Sequence, residues 1–209
     1  MASPAIPEIE TERLILRRPV SADIEHWVGF LGDPDFGRYV PRSRANRTPR
    51  ERAERTIRGL QALWEQQPLS AMGWAITRKG DSQFIGQCNI DTLPETNDME
   101  LSYLLGKPYW GQGFATEAAR AAVCFGFEHT TWDRIVAGVV PANVASWRVL
   151  EHLGFVHEKD VNYYEMTGSD AIIMDDPIVA YYALRRERFA PGDAFYRLHD
   201  APRPSQLTL

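Results

Sequence analysis

Hydrophobic positions along this chain change period near its middle. Asp98-Met-Glu-Leu-Ser-Tyr-Leu-Leu105 alternates and then turns apolar, predicting a buried strand with Glu100, Ser102 and Leu104 on one side of the pleat. From Ala115 to Phe127 the chain is alanine-rich and apolar at helical spacing, which predicts a helix over about 114–129. Arg134-Ile-Val-Ala-Gly-Val-Val140 is again a strand, so the unit is a strand, turn, helix and strand with a parallel crossover. Pro141 to Phe155 predicts a further helix, opened by Asn143 as N-cap and stopped by Gly154. Around this centre, strands are expected at about 12–18, 72–78, 83–92, 155–165 and 174–184. Helices are expected after Ser21, read as an N-cap, and from Thr48-Pro49 to about Gln66. Pro191, Pro202 and Pro204 predict an irregular tail from Arg188, frayed or docked across a neighbour.

The turn between the first strand and helix of the central unit carries chemistry. In Lys107-Pro-Tyr-Trp-Gly-Gln-Gly-Phe-Ala-Thr-Glu-Ala118, Gly111 and Gly113 permit positive φ and close backbone approach. The helix behind them offers unpaired N–H groups and a positive dipole end to an anion. A P-loop is excluded because Phe114-Ala115 stands where Lys-Ser/Thr is needed. A dinucleotide fingerprint is excluded because Thr116 replaces the third glycine and the unit sits mid-chain. A short pyrophosphate turn of another kind remains, beside the plainer reading of Gly-Gln-Gly as a packing device.

The next helix narrows the choice. Asn143-x-x-Ser146-x-x-x-Leu150-x-x-x-Gly154-Phe155, following a glycine turn and a strand, resembles the GNAT superfamily of acyl-CoA-dependent N-acetyltransferases. More narrowly it resembles the RimJ/RimL-type branch, which acetylates ribosomal-protein N-termini. Thr11-Glu-Arg-Leu-Ile-Leu-Arg-Arg-Pro19, Phe84-Ile-Gly-Gln-Cys-Asn-Ile90 and Val179-Ala-Tyr-Tyr-Ala-Leu184 are similar to that branch's first, third and last strands. The resemblance spans roughly residues 9–189, read as one acetyltransferase domain between an extension at 1–8 and a tail at 190–209. It implies an α/β fold of α+β type: a mixed, mostly antiparallel seven-stranded sheet with helices on both faces. A central parallel strand pair would be splayed to admit CoA.

The same resemblance implies roles for individual residues. Trp110, Gly111, Gln112, Gly113, Phe114, Ala115 and Thr116 would hold the CoA pyrophosphate, chiefly through backbone N–H groups. Many members carry Arg or Gln where Trp110 stands, so the resemblance does not extend to that side-chain phosphate contact, while it does to the backbone cradle. Leu104 and Leu105 would pair with the pantetheine arm, as a peptide adds to a sheet edge. Asn143 would hold the cofactor or acetyl region, and Ser146 would protonate the departing thiolate. Glu100 occupies the position of a candidate base.

The chemistry can be argued without the family. An amine is protonated at neutral pH and must lose a proton before attacking a thioester, so a base is needed beside it. The oxyanion that forms needs a donor, and a backbone N–H near Leu105 would serve. By themselves, Glu100 also reads as a strand carboxylate paired with an arginine, and Ser146 as part of a helix cap.

Composition sets bounds on this picture. The 209 residues, 44% hydrophobic and 24% charged, suit one soluble domain with a real core. No stretch approaches a membrane span, and the first residues lack a secretory leader, so a cytoplasmic enzyme is expected. Cys88 and Cys124 read as buried free thiols, and His26, His129, His152, His157 and His199 are too scattered for a metal site. The only cofactor expected is therefore acetyl-CoA, as co-substrate. A net charge of −5 weighs against nucleic-acid binding.

Two charged segments bear on the acceptor and disagree. Arg38, Arg42, Arg44, Arg47, Arg50, Arg52, Arg55 and Arg58 would favour an anionic acceptor or an RNA-rich setting, or form a solvated helix face. Glu158, Asp160, Glu165, Asp170, Asp175 and Asp176 would attract a cationic amine, or form a solvated loop. The favoured function is acetylation of a protein or peptide N-terminal α-amine. The alternatives are a small amine (an antibiotic, polyamine or amino-acid derivative) or a non-catalytic acyl-CoA-binding module. A monomer or homodimer is expected.

Overall fold

A computed structural model describes residues 6–40, 42–43, 45, 47–65, 71–168, 172–174, 176–190 and 196–199. In chain order the strands and helices are β1 (Glu8–Glu10), β2 (Leu14–Arg17), α1 (Asp23–Leu31), β3 (Arg42–Ser43), α2 (Pro49–Leu63), β4 (Met72–Arg78), β5 (Phe84–Thr92) and β6 (Met99–Leu105). There follow α3 (Phe114–His129), β7 (Arg134–Val139), α4 (Val144–His152), β8 (Val156–Asn162), α5 (Tyr163–Thr167), β9 (Ile172–Ile173), β10 (Ile178–Arg185) and β11 (Arg197–His199). The main sheet has nine strands in the order β11-β1-β2-β4-β5-β6-β7-β10-β8, and β3 pairs with β9 separately. Among the described residues only β6 and β7 run parallel; the other neighbours in the main sheet are antiparallel.

The mixed, mostly antiparallel architecture and its central parallel pair are as expected, but the main sheet has nine strands rather than seven. The extra two, β1 and β11, have three residues each, too short for alternation to stand out. The expected strand at 12–18 is preceded by a turn in which Thr11 N–H donates to Leu14 O (2.9 Å), and β1 lies on its other side. Ile6 and Ile9 are buried at 1% and 0% exposure, so the core begins ahead of residue 9. The tail expected to be irregular returns as β11, with Glu8 opposite His199 and the His199 ring 2.8 Å from Glu10 Oε2. Pro191, Pro202 and Pro204 lie outside the described residues.

Local chemistry accounts for the other boundaries. The N-cap of α1 is Ala22, without a side-chain cap bond, rather than Ser21. The buried Asp23 supplies the local bonds instead, accepting from Val20 N–H (2.9 Å) and from both Nη atoms of Arg17 (2.9 and 2.7 Å). α2 opens with a reciprocal capping box between Thr48 and Glu51, with Pro49 at the first helical position, and ends at Leu63; Gln66 lies outside the described residues. β8 stops at Asn162, whose side chain accepts Tyr164 N–H (3.0 Å) and starts α5 in place of the last expected strand residues.

Helices cover both faces of the sheet. Met99, Leu101 and Leu105 of β6 pack with Trp74 and with Ala118, Ala122 and Phe125 of α3, and Leu150 of α4 joins them. On the opposite face Ala75 and Phe84 meet Trp27 of α1 and Ile57 of α2, with Leu104 against the same cluster. β6 therefore has one wall in each core, and chemistry placed along it can be approached from two sides.

Candidate active site

β6 and β7 are registered only at Met99–Ile135 and Glu100–Val136. Beyond Glu100 the two strands part, leaving a cavity of about 270 Å³ whose walls include Glu100, Ser102, Leu104, Gly138, Asn143 and Ser146. On its other edge β6 stays paired with β5 through Leu105, and Gly106 N–H donates to Ile85 O (3.0 Å). Antiparallel bonding alternates, so Leu104 directs its backbone groups to β5, whereas Tyr103 and Leu105 turn theirs to the gap. Leu104 thus contributes a side chain to the cavity, and the free sheet edge belongs to Tyr103 and Leu105. The Leu105 carbonyl is already taken by the Trp110 indole N–H, 2.6 Å away.

Gly86 holds this stretch of β6 close. A Cβ there would sit 2.1 Å from Leu104 O. Gly86→Ala is expected to cost roughly 1–3 kcal/mol, as overpacking does, and to displace the wall of the gap. Thermal unfolding and CoA titration on the same variant check both effects; unchanged stability would contradict the close approach.

The glycine turn lies past the end of β6. Gly111 and Gly113 have φ of 72° and 79°, in the left-handed region. Gly113 is the N-cap of α3 and provides no side-chain bond. Among the described residues, the backbone N–H groups from Gly111 through Thr116 have no hydrogen-bond partner, and a Cβ on Gly111 would meet no protein atom within 4 Å. A row of orphan donors at a helix start, open on one side, fits a diphosphate.

Side chains brace the turn from beneath. Arg13 Nη1 donates to Gln112 O (2.9 Å), Arg13 Nε to Glu117 Oε2 (2.6 Å), and Thr11 Oγ1 to Glu117 Oε1 (2.6 Å). Gln112 Nε2 donates to Pro108 O (2.7 Å), so this side chain is engaged with the turn itself. Trp110 is 44% exposed and ties the turn to the strand end. Phe114 is buried beneath the turn, and the Arg13 guanidinium lies 4.6 Å from its ring centre. Sequence reasoning quoted Arg13 and Glu117 within motifs but did not join them, because they lie in different segments.

Glu100 faces the cavity from β6. Burial, reinforced by the charge of Asp91, pushes its pKa up to about 7, against the pull of a hydrogen bond from Gly138 N–H. No arginine bonds to it among the described residues, which removes the plain strand-pair reading. That role falls to Asp98, which accepts from Arg134 Nε and Nη2 (2.7 and 2.5 Å) and from the Tyr181 hydroxyl (2.8 Å).

Across the gap, Asn143 caps α4, its Oδ1 accepting Ser146 N–H at 3.3 Å. The Ser146 hydroxyl is 3.1 Å from the Tyr103 hydroxyl, which also donates to Ser146 O (2.9 Å). Tyr103 was missed by sequence reasoning: it alternates to the face opposite Glu100, and nothing local links it to a residue 43 positions away. The site thus has a carboxyl of raised pKa on one side and a paired hydroxyl system on the other.

The charged segments resolve unevenly. Arg50 pairs with Glu25 and Arg58 with Glu54, both at the surface. The Arg42 side chain, Arg44, Asp170 and Asp175 lie outside what is described. Asp160 meets His157 (2.9 Å), and Glu158 lies 3.7 Å from Arg134. Among the described residues no group of three or more His, Cys, Asp or Glu could hold a metal, and no helix is long and apolar enough to cross a membrane.

A splayed parallel pair beside a donor-rich glycine turn agrees with the family comparison. The acetyltransferase (GNAT) domain pattern matches residues 13–156, and the chain belongs to that family of acyltransferase enzymes. Among individual relatives, YkkB of Bacillus subtilis (strain 168), an uncharacterized protein, is 30% identical over 160 residues, covering 74% of this chain and 88% of YkkB. An uncharacterized N-acetyltransferase of Bacillus licheniformis, p20, is 31% identical over 160 residues, covering 74% and 85% respectively. Among solved structures, Mycobacterium smegmatis RimJ in complex with CoA-disulfide superposes with a TM-score of 0.67 at 20% identity, covering 88% of each chain, a likeness of fold.

Proposed function

We propose that the protein transfers the acetyl group of acetyl-CoA to the α-amine of a protein or peptide N-terminus, in the manner of the RimJ/RimL-type branch. The observation that carries this reading is Glu100: a carboxyl with pKa raised to about 7, without a cation, in the wall of the gap between β6 and β7. Such a group accepts a proton from an ammonium more readily than an ordinary carboxylate does, while remaining substantially ionised near neutrality.

The residues present fit acetyl-CoA. The N–H groups from Gly111 to Thr116 would take the pyrophosphate, and the free edge at Tyr103 would take the amide-bearing arm, leaving the Leu105 N–H for the acyl oxygen. Acetyl-CoA supplies the activated acyl group. With acetyl-CoA bound, Glu100 would take the proton from the amine, the backbone N–H of Leu105 would face the acyl oxygen, and Ser146 with Tyr103 would supply a proton to the thiolate. A cytoplasmic setting, where acetyl-CoA is at hand, is part of the same proposal.

A second reading, the same transfer to a small amine, draws on one feature. The Tyr39 hydroxyl donates to Ala142 O (3.3 Å), and Tyr39 also lines the cavity, so the acceptor side is narrowed by a bridge. Thiol release from acetyl-CoA, screened with serine- and alanine-initiated hexapeptides beside polyamines, amino-acid derivatives and aminoglycosides, separates the two. Peptides are expected to give the highest kcat/KM. Turnover confined to small amines would overturn the peptide assignment, and absence of turnover with any amine would overturn acetyl transfer to an amine.

A further inference from the structure

Beside Glu100 the described part of this sheet face holds two other carboxylates, and their surroundings differ. Asp98 is neutralised by Arg134 and Tyr181. Asp91 lies directly opposite Glu100 in the β5–β6 register, so their side chains project from the same face. No hydrogen bond or ion pair engages the Asp91 carboxylate among the described residues. The other groups facing Glu100 are the backbone N–H of Gly138 on β7 and the Tyr163 ring on α5. Among the described residues, two carboxylates therefore face each other with no cation between them.

The same side of β5 continues the pattern. Gln87, Asn89 and Asp91 occupy alternate positions, opposite Leu104, Ser102 and Glu100. Gln87 Oε1 and Asn89 Oδ1 are buried without a partner. Among the described residues, the Asp91 carboxylate and the amide oxygens of Gln87 and Asn89 have no donor or cation beside them, and Glu100 has only the Gly138 N–H. Orphaned groups of this kind cost stability unless a ligand completes them.

We propose that Asp91 is a specificity-determining residue that anchors the acceptor as its ammonium ion beside Glu100, so that the site selects amines that are cationic at the reacting nitrogen. This rests on the reading of Glu100 as the base. In the step that follows, an N–H bond of the ammonium breaks, an O–H bond forms on Glu100, and the freed nitrogen lone pair is available to attack. Asp91 stays ionised throughout, so the carboxylate pair carries two negative charges before the transfer and one after it. Burial raises the Asp91 pKa only to about 6, so it is ionised at the pH where Glu100 is half-titrated.

Asp91→Asn and Asp91→Glu test the assignment. Carboxyl 13C titration of the protein alone, with Glu100→Gln to assign the signal, is expected to show the Glu100 midpoint falling by at least half a unit in Asp91→Asn. With whichever hexapeptide the wild type acetylates fastest, KM for the peptide is expected to rise tenfold or more while CoA affinity is unchanged. Asp91→Glu should restore most of both. The proposal requires the shifted midpoint and the raised KM together, and failure of either overturns it. An active wild type with an indifferent Asp91→Asn condemns Asp91 alone, whereas a wild type that releases no thiol with any amine condemns the acetyl-transfer reading.

Discussion

Glu100→Gln is expected to lower kcat/KM by about 10²–10⁴-fold, the usual contribution of a positioned base, while making the protein more stable above pH 7. Both effects have one origin. The pKa of Glu100 is about 7 in the folded chain against 4.5 without burial. Below pH 4.5 the carboxyl is protonated folded or unfolded, and it has no effect on the pH dependence of stability. As pH rises from 4.5 to 7 the unfolded chain ionises first, so stability falls. Above 7 the full penalty is present, at most about 3 kcal/mol for a shift of this size.

Glutamine keeps the acceptor oxygen for Gly138 N–H but carries no charge, and it escapes that penalty. Urea unfolding at pH 5 and pH 8 should therefore show the variant's advantage growing with pH. In parallel, wild-type kcat/KM should rise through about pH 7, and this limb should vanish in the variant. Undiminished thiol release by Glu100→Gln would remove Glu100 from the chemistry, and an advantage that shrank with pH would contradict the raised pKa.

Gly113→Val is expected to weaken CoA binding by at least a hundredfold. Gly113 has φ 79°, a region that a β-branched residue adopts only with strain. A Cβ there would also lie 3.3 Å from Arg13 Nη2, and the added methyls would crowd the open N–H groups. Because valine strains the backbone at this position, circular dichroism accompanies the titration to check folding, and Gly111→Ala supplies the cleaner comparison. Its added methyl meets no protein atom within 4 Å, so lost affinity there reports the ligand's approach together with modest backbone strain. Gly59→Ala, on α2 and equally open, should leave binding unchanged. Trp110, exposed beside the turn, provides a fluorescence readout. Full affinity in both cradle variants would refute the pyrophosphate seat.

Elements that carry their own instructions were legible in the chain. Helix α3 begins and ends at Phe114 and His129, as expected, because a left-handed glycine and a long alanine-rich run are both local signals. Asn143 and Gly154 likewise delimit α4 through their own cap geometry. What escaped notice depends on distant partners. The Tyr103–Ser146 contact, the Arg13–Glu117 brace and the pairing of Asp91 with Glu100 each join separate elements. Periodicity assigns a residue to a face but does not say what stands opposite. Ser21 failed as a cap because Asp23 had stronger partners in Arg17 and the Val20 amide.

The register of Glu8 with His199 has a consequence for synthesis. Within this sheet β1 is made before the other described strands, yet its outer neighbour β11 is made after all of them. Until then β1 has an unpaired edge, and open edges invite pairing with another chain. The last strand thus acts as a late closure on a nascent sheet. A ribosome pausing short of residue 197 would hold a form whose β1 edge is still open to another chain.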